Sequence, residues 1–444
     1  MLVKEPAPAT GTDPKTDASF PSYLIKLLPV FTINDTASFK SEFSTGYARG
    51  GFFGNGQTFN YKNDQFGDVL YYYNTFNALG ANSAGNNTIL FNRFWMELYS
   101  DTATYGIGRQ SFNWGMGAIY SGGNNTWDRF ASIRDMVVAK IKLGNFGIEP
   151  FFGKIGQGQT LTSATYAIEF GVPLTYEIPE SDMKMGILWT KKNIAAQNDV
   201  LDTPTSSTTT TSYLSSSGLN VFDLYFKKTF GKLGMELEAP FFSGELGNFR
   251  GVAGNTKYST VALLLNLEYK FSYPFKMGLD FGMVPGDNTA DNTFKAMYLN
   301  PNYHIASILF RFNQQAITNN TDYNVWDIYV VNTNYLKLYF EYTTEKWLLN
   351  FASIYAQADK VATKGGQYIV YEQNTYPKTS IGDQSKDLGL EFDFTFDYAW
   401  NNEVKLGGEV GYLMTGDYFG FNNTTTPNQT VNPFLLKLKA AVTF

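Results

Sequence analysis

The sequence predicts an all-β fold, an antiparallel transmembrane β-barrel of about 18 strands, with about 16 as the alternative. Three observations carry this prediction. Apolar and polar side chains alternate along many segments of strand length, short links between these segments alternate with long polar ones, and the chain ends on the aromatic Phe444. Aromatic residues make up 17% of the 444 residues, enough for girdles at both membrane interfaces.

The last predicted strand shows the alternation most clearly. From Phe434 to Phe444 the even positions are all apolar, whereas the odd positions include Lys437 and Lys439. Because side chains two residues apart share one face of a strand, one face is apolar and the other carries two lysines. The same alternation marks further segments, at 137–143, 183–189, 222–227, 261–271, 275–283, 336–342, 347–355 and 388–400.

The lengths of the links form a second, independent pattern. Short links such as Gly144-Asn145 alternate with long polar stretches such as 193–218. This asymmetry predicts short periplasmic turns at one end of the barrel and long extracellular loops at the other. We expect two long loops, 115–129 and 285–312, to fold inwards and narrow the bore, and we leave open whether 303–312 is instead a strand.

Composition narrows the class of protein further. No run of about 18 apolar residues is present, which excludes a membrane-spanning helix. The absence of cysteine suits export through an oxidising periplasm and removes disulfides and thiol sites. A net charge of −6 argues against a nucleic-acid partner. No signal peptide precedes the polar start from Met1 to Asp17, so we expect a mature exported chain in the cell outer membrane.

We expect two parts and a small set of partners. Residues 1–35 form a periplasmic tail or a plug, and residues 36–444 form the barrel. The apolar outer face would contact outer-membrane lipid and lipopolysaccharide, and the barrel-assembly machinery would recognise the C-terminal Phe444. Small polar solutes would enter the bore, and a monomer is expected in preference to a trimer.

Several short motifs resemble those of the alginate-export-type porins. They are Gly108-Arg109-Gln110 with Gly115 and Gly117, Trp127-Asp128-Arg129-Phe130 with Asp135, Gly286-Asp287 with Phe294 and Asn302-Tyr303, the stretch from Asp387 to Asp393, and Gly411-Tyr412 with Gly416-Asp417. The resemblance covers most of the chain from residue 104 onward. It implies a monomeric barrel of about 18 strands that passes anionic sugars through an arginine-lined pore.

The first group of predicted pore-lining residues is basic. It comprises Arg93, Arg109, Arg129, Arg134, Lys140 and Lys142. Guanidinium groups stay charged and bind carboxylates through two hydrogen bonds, so a cluster of arginines on one pore wall would favour anions. The alternative is that the arginines form ion pairs with nearby carboxylates, such as Glu97, Asp128 and Asp135, and hold a loop against the wall.

The second group lies on the strands that close the barrel. It comprises Glu391, Asp393, Asp397, Lys405, Lys437 and Lys439, with Glu409 among them. Opposite charges on neighbouring strands stabilise a sheet modestly, and we interpret this group as a mixed-charge lining of the lumen. It differs from an all-basic channel, and it is not interpreted as a carboxylate pair for acid–base catalysis.

Catalysis and cofactors find little support in the sequence. His304 is the only histidine, no nucleophile motif accompanies it, and Ser307 is merely close along the chain. No enzyme, metal or cofactor is therefore predicted, apart from loop-bound calcium as an open alternative at Asp287, Asp291 and Asp322.

The functional prediction is a porin for passive diffusion of small polar or charged solutes, with anionic or sugar-like molecules as candidates. A non-conducting structural or adhesive outer-membrane barrel is the alternative, and a soluble all-β surface protein is a further one.

Overall fold

The computed structural model describes residues 2–3, 18–19, 22–23, 25–45, 51–52, 77–78, 89–128, 130–157, 166–195, 217–246, 256–287, 293–311, 330–368, 378–423, 425–427 and 429–443. Within these ranges the regular structure is β-strand, with short 3-10 turns at Pro179–Ser181, Leu309–Arg311 and Asp417–Gly420. No helix in the described part of the chain is long and apolar enough to cross a bilayer.

The strands before residue 160 are β1 (Leu2–Val3), β2 (Ala18–Ser19), β3 (Ser22–Tyr23), β4 (Lys26–Leu27), β5 (Val30–Asn34), β6 (Ala37–Thr45), β7 (Gly51–Phe52), β8 (Asn77–Ala78), β9 (Ile89–Tyr99), β10 (Ala103–Ser111), β11 (Phe130–Ala131), β12 (Ile133–Leu143), β13 (Phe146–Ile148) and β14 (Phe151–Gln157). The later strands are β15 (Tyr166–Ile178), β16 (Met183–Ala195), β17 (Ser217–Phe230), β18 (Leu233–Glu245), β19 (Lys257–Val261), β20 (Leu263–Lys270), β21 (Phe275–Val284), β22 (Thr293–Phe294), β23 (Thr333–Thr343), β24 (Trp347–Ala358), β25 (Gln367–Tyr368), β26 (Lys378–Thr379), β27 (Asp387–Ala399), β28 (Val404–Thr415) and β29 (Phe434–Val442).

One large sheet joins 23 of the described strand segments, and its neighbouring wall strands pair in antiparallel fashion. At one edge β4 and β5 pair with β6. At the other edge β29 pairs with β1, which pairs with β2. Strands from the N-terminal part of the chain therefore complete both edges, and the fold is the predicted transmembrane β-barrel.

The number and the start of the strands differ from the prediction in two respects. Several wall strands consist of two segments, as with β13 and β14, which both pair with β12 and β15, so the segments outnumber the predicted 18 strands. In addition, β1, β2, β4 and β5 lie within residues 1–35 yet pair into the barrel sheet. The wall therefore begins before the predicted boundary at residue 36.

The predicted alternation of short and long connections is confirmed. The short turns are 35–36, 100–102, 144–145, 179–182, 231–232, 271–274, 344–346 and 400–403. Because consecutive wall strands are antiparallel, these turns all lie at one end of the barrel, and the long connections lie at the other.

Exposure follows the predicted two-residue period. In β29, Leu436, Leu438 and Val442 are exposed on the outer face, whereas Leu435 is fully buried on the inner one. Nearer the long-loop end, an outer row of aromatic rings crosses four strands, at Phe170, Trp189, Phe222 and Phe241, with centroids 5.6, 6.5 and 6.5 Å apart in that order. Exposed apolar faces of this kind are stable only against lipid.

A β-bulge reverses one predicted side-chain direction. The sequence places Leu388 on the same face as Leu390, but the pairing between β24 and β27 shifts register between Ala356 and Gln357. Gly389, at φ +114°, carries the irregularity, and Leu388 turns inward and is fully buried.

Candidate functional site

Two long connections fold into the lumen, as the sequence predicts. We call residues 112–128 the first inward loop and residues 293–311 the second. Both contact charged side chains on the inner face of the wall, so the bore is narrowed by loops anchored at defined points. The range 303–311 is part of the second loop and contains a 3-10 turn, not a strand.

The first inward loop begins against the wall of β15 to β18. Its Met116 N–H donates to Glu238 Oε2 at 2.5 Å, and its Tyr120 hydroxyl donates to Glu169 Oε1 at 2.7 Å. The ring of Trp114 lies on Gly186, where an added Cβ would lie 2.6 Å from the ring. Burial raises the pKa of Tyr120 well above its usual value, so the hydroxyl remains a hydrogen-bond donor.

The tip of the first inward loop reaches the opposite wall. The Trp127 indole N–H donates to Asp397 Oδ2 on β27 at 3.2 Å, and Lys439 Nζ on β29 lies 4.9 Å from the ring centroid. Lys26 on β4 donates to the carbonyl of Asp128 at 2.8 Å. Burial raises the pKa of the Asp128 carboxyl. The loop therefore crosses the lumen from one side to the other.

The second inward loop is anchored by wall carboxylates that accept backbone N–H groups. Glu391 Oε1 accepts the N–H of Ile308 at 2.7 Å, and its Oε2 accepts the N–H of Leu309 at 2.7 Å. Asp393 Oδ2 accepts the N–H of Ser307 at 3.0 Å. These two carboxylates were predicted to line the pore, but both are buried under the loop, so that prediction is corrected to an anchoring role.

The two inward loops meet inside the barrel. The Asn300 N–H donates to the carbonyl of Ala118 at 2.6 Å, and Asn302 Nδ2 donates to Ser121 Oγ at 3.1 Å. Fully buried apolar side chains accompany these contacts, among them Ile119, Leu299, Ile308, Leu309 and Phe310. The loops thus form a small core of their own within the lumen.

Two of the predicted arginines are buried in ion pairs under the first inward loop. Arg93 pairs with Glu42 and also donates to the carbonyl of Gly122 at 3.2 Å and to Asn124 Oδ1 at 3.0 Å. Arg134 pairs with Glu169. These contacts fit the alternative interpretation, in which the arginines hold a loop against the wall, because a buried guanidinium cannot meet a passing solute.

The remaining basic residues of the first group lie in different parts of the structure. Arg109 pairs in register with the exposed Phe94 and lies on the outer face, where Nε is 3.6 Å from Asp135 Oδ1. Its predicted place in the pore is therefore wrong, and its two-residue spacing from the outward Ile107 is the sequence signal that would have shown this. Lys140 and Lys142 share the inner face of β12 with the buried Val138 and are exposed near the short turns. Arg129 lies outside the described residues.

The closing strands carry a row of ion pairs in which the lysine is the more exposed partner. The side-chain exposures are 39% for Lys405 against 17% for Asp397, 27% for Lys437 against 3% for Glu409, and 32% for Lys40 on β6 against 14% for Glu97. We call the inner faces of β27, β28 and β29, together with Lys40, the lysine wall. Lys439 belongs to it and lies over Trp127.

Sequence reasoning did not single out four further charged residues under the first inward loop. Asp223, Glu238, Glu169 and Lys192 are fully buried on inner strand faces. Three of them alternate with outward apolar residues, as Asp223 does between Phe222 and Leu224, and Lys192 lies between the outward Lys191 and Asn193, so the two-residue period places all four on the lumen face. Their burial depends on the loop that covers them, and the alternation along a strand gives no information about such a loop.

The histidine and calcium interpretations gain no support. The side chain of His304 is exposed in the second inward loop, and the adjacent Ser307 donates its N–H to Asp393. Asp287 accepts the N–H of Lys295 at 3.2 Å, while Asp291 and Asp322 lie outside the described residues. In the part of the chain that the structure describes, no three acidic, histidine or cysteine side chains form a group that could hold a metal ion.

Comparisons with known proteins agree with this fold. No protein-family model and no curated protein matches the chain. The chain is similar to the solved structure of OccK9 (OpdG) of Pseudomonas aeruginosa, with a TM-score of 0.50 and 10% identity over 99% of this chain and 95% of that one. It has the outer-membrane β-barrel fold.

Two further structures from Pseudomonas aeruginosa are similar at a TM-score of 0.47. They are the outer membrane protein OpdK, at 9% identity over 99% of this chain and 97% of that one, and OccK2 (OpdF) in complex with glucuronate, at 8% identity over 99% and 96%. At such identities the likeness concerns the fold alone. None of the three is described as an alginate-export-type porin, so that finer resemblance stays a prediction.

Proposed function

We propose that this chain is an outer-membrane porin that passes small polar solutes and prefers anions. The observation that carries the proposal is the lysine wall, which faces the lumen beside the two inward loops. A wall that presents cations at a narrowed point of a water-filled barrel selects solutes by charge as well as by size.

The electrostatic argument follows from unequal exposure within each ion pair. Lys405, Lys437 and Lys40 are more exposed than the carboxylates that they contact. A solute in the bore therefore meets the ammonium groups first, while the compensating negative charge lies behind them in the wall. Low-dielectric surroundings strengthen this field in a narrow passage.

The solute class follows from the chemistry beside these cations. Trp127 lies next to Lys405 and Lys439, at 5.8 and 4.9 Å from its ring centroid. Ammonium groups bind carboxylates, and an indole face packs against sugar rings or other flat apolar surfaces. Small carboxylates that carry such a surface are the best match. The proposal is passage, and the buried Glu238, Glu391 and Asp393 serve in it as anchors of the loops.

A planar-bilayer recording tests the proposal. The wild-type barrel should conduct, with a reversal potential in a salt gradient that indicates anion preference. The Lys405→Gln, Lys439→Gln double variant should shift that potential towards zero or towards cations. Lys228→Gln is the matched control, because Lys228 lies on the outer face near the short turns, beside Phe230, and should leave the potential unchanged. An unchanged reversal potential in the double variant would count against the lysine wall.

The apolar core between the inward loops favours a second candidate, a non-conducting structural barrel. Ile119, Leu299 and Phe310 are fully buried where the loops meet, as in a closed lumen. A correctly folded barrel that stays electrically silent would support this candidate and exclude the porin. Heat-modifiable migration on a gel establishes correct folding independently of conductance.

A further inference from the structure

A small group of cations lies on the outer face of the barrel near the long-loop end. Arg109 on β10, Lys154 on β14 and Lys191 on β16 share this face with exposed apolar residues. Register brings them near one another, because Arg109 and Lys154 both pair with Asp135 on β12, and the β15 partners of Lys154 and Lys191 are two residues apart on one face. With strands about 4.8 Å apart, Arg109 and Lys154 flank Asp135 at about 10 Å from each other.

The height of these cations matches the edge of the hydrocarbon. Arg109 lies two residues beyond Ile107, Lys154 two beyond Phe152 and Lys191 two beyond Trp189, always towards the long loops. Two residues of a strand span about 7 Å. Lys191 also pairs in register with Phe170 of the outer aromatic row, so the cations lie at the outer margin of that row, where lipid headgroups begin.

The charge at this height is positive. Among the described outward residues at the long-loop end of β10 to β16, Asp135 is the only acid beside three cations. It is 3.6 Å from Arg109, and both side chains are about half exposed. A basic side chain facing lipid is costly at the bilayer centre but becomes favourable beside an anionic headgroup.

We propose that Arg109, Lys154 and Lys191 bind the phosphate groups of lipid A in the outer leaflet. A phosphate offers several acceptor oxygens, which suit the guanidinium fork on β10 and the ammonium groups on β14 and β16, each separated from the next by one strand. Trp189 and Phe152 lie one step below, beside the acyl chains of the same lipid. The lipid A proposal requires an outer-membrane location but not the passage of solutes. The lipid A proposal and the porin proposal can therefore fail independently of each other.

The test uses the intact purified barrel in detergent micelles with two probes, lipid A that carries its phosphates and chemically dephosphorylated lipid A. Native mass spectrometry measures the bound fraction of each. One basic residue contributes roughly a fivefold gain in affinity at an anionic surface. The triple variant Arg109→Gln, Lys154→Gln, Lys191→Gln should therefore bind phosphorylated lipid A at least about tenfold more weakly than the wild type. Its weak binding of dephosphorylated lipid A should not change.

The double variant Lys228→Gln, Lys232→Gln removes one cation from the outer face near the short turns and one from the short turn 231–232, and it serves as the control. It should retain wild-type affinity for phosphorylated lipid A. The proposal is overturned if the triple variant binds as the wild type does, if the control weakens binding equally, or if the wild type does not distinguish the two lipids. Heat-modifiable migration verifies folding, and the charge-retaining variant Arg109→Lys, Lys154→Arg, Lys191→Arg should recover binding.

Discussion

The docking of the second inward loop depends on Glu391, and substitution of this residue gives the most direct test of the lumen architecture. Both carboxylate oxygens are used, one for the Ile308 N–H and one for the Leu309 N–H, each at 2.7 Å. In Glu391→Gln one oxygen remains and still accepts one of the two N–H groups. The new amide N–H2 faces the other backbone N–H, so two hydrogen-bond donors meet without an acceptor. The wall itself keeps its backbone pairing with β24 and β28.

The magnitude follows from these two bonds. A hydrogen bond to a carboxylate contributes about 1.5–3 kcal/mol, and leaving a buried N–H unsatisfied costs about 1–3 kcal/mol. We expect the substitution to weaken docking by about 3 kcal/mol, which raises the undocked fraction of the loop about a hundredfold. Two anchors remain, the Ser307 N–H on Asp393 Oδ2 at 3.0 Å and Lys337 Nζ on the carbonyl of Ile305 at 2.9 Å, and they limit the opening to the segment near the 3-10 turn.

Tryptic cleavage after Arg311 measures this opening. Arg311 lies in the same turn, is buried, and donates from Nε to the carbonyl of Ser307 at 2.5 Å, so trypsin can reach it only after the loop undocks. Cleavage should be at least tenfold faster in Glu391→Gln, and single-channel current should become noisier. Glu268→Gln is the control, because Glu268 is a wall carboxylate that pairs with Lys276 at 2.9 Å. Wild-type cleavage rates in Glu391→Gln would refute the anchoring role.

Two further substitutions test the wall. Arg134→Met leaves Glu169 buried without its guanidinium partner and should destabilise the barrel by about 3–5 kcal/mol, lowering the temperature of the heat-modifiable gel shift. Arg109→Gln, which breaks an exposed pair, should cost less than about 1 kcal/mol in the same assay, and equal shifts would contradict the assignment of Arg134 to the interior. Gly389→Ala should cost about 1–3 kcal/mol, because φ is +114° and the added Cβ would meet the carbonyl of Met414. Gly382→Ala, with open space at its Cβ, is the control, and a stable Gly389→Ala barrel would argue against the bulge that turns Leu388 inward.

The face of the strand on which each side chain lies was predictable wherever the alternation was unbroken. In β29 Leu436 and Leu438 face outward and the lysines inward, because a two-residue period is a local property of an extended chain. The same rule would have placed Arg109 outside, beside Ile107. It failed for Leu388 because a single extra residue at a bulge reverses the parity beyond it.

The site was predictable in part. The inward folding of the two long loops followed from their length and composition, but their anchors did not. Glu238 and Met116 are 122 residues apart, and Glu391 and Ile308 are 83 apart, so no local pattern connects them. Carboxylates interpreted as pore lining therefore proved to be anchors.

The sequence by itself determined the all-β barrel, the asymmetry of its two ends and the apolar outer face, because each depends on short-range periodicity and on link length. Only the tertiary structure decided which charges meet the lumen. Burial of Arg93, Arg134, Glu391 and Asp393 results from loops that cross the bore and cover them. Exposure of the lysine wall results from the space that those loops leave, and such space is a property of the assembled barrel.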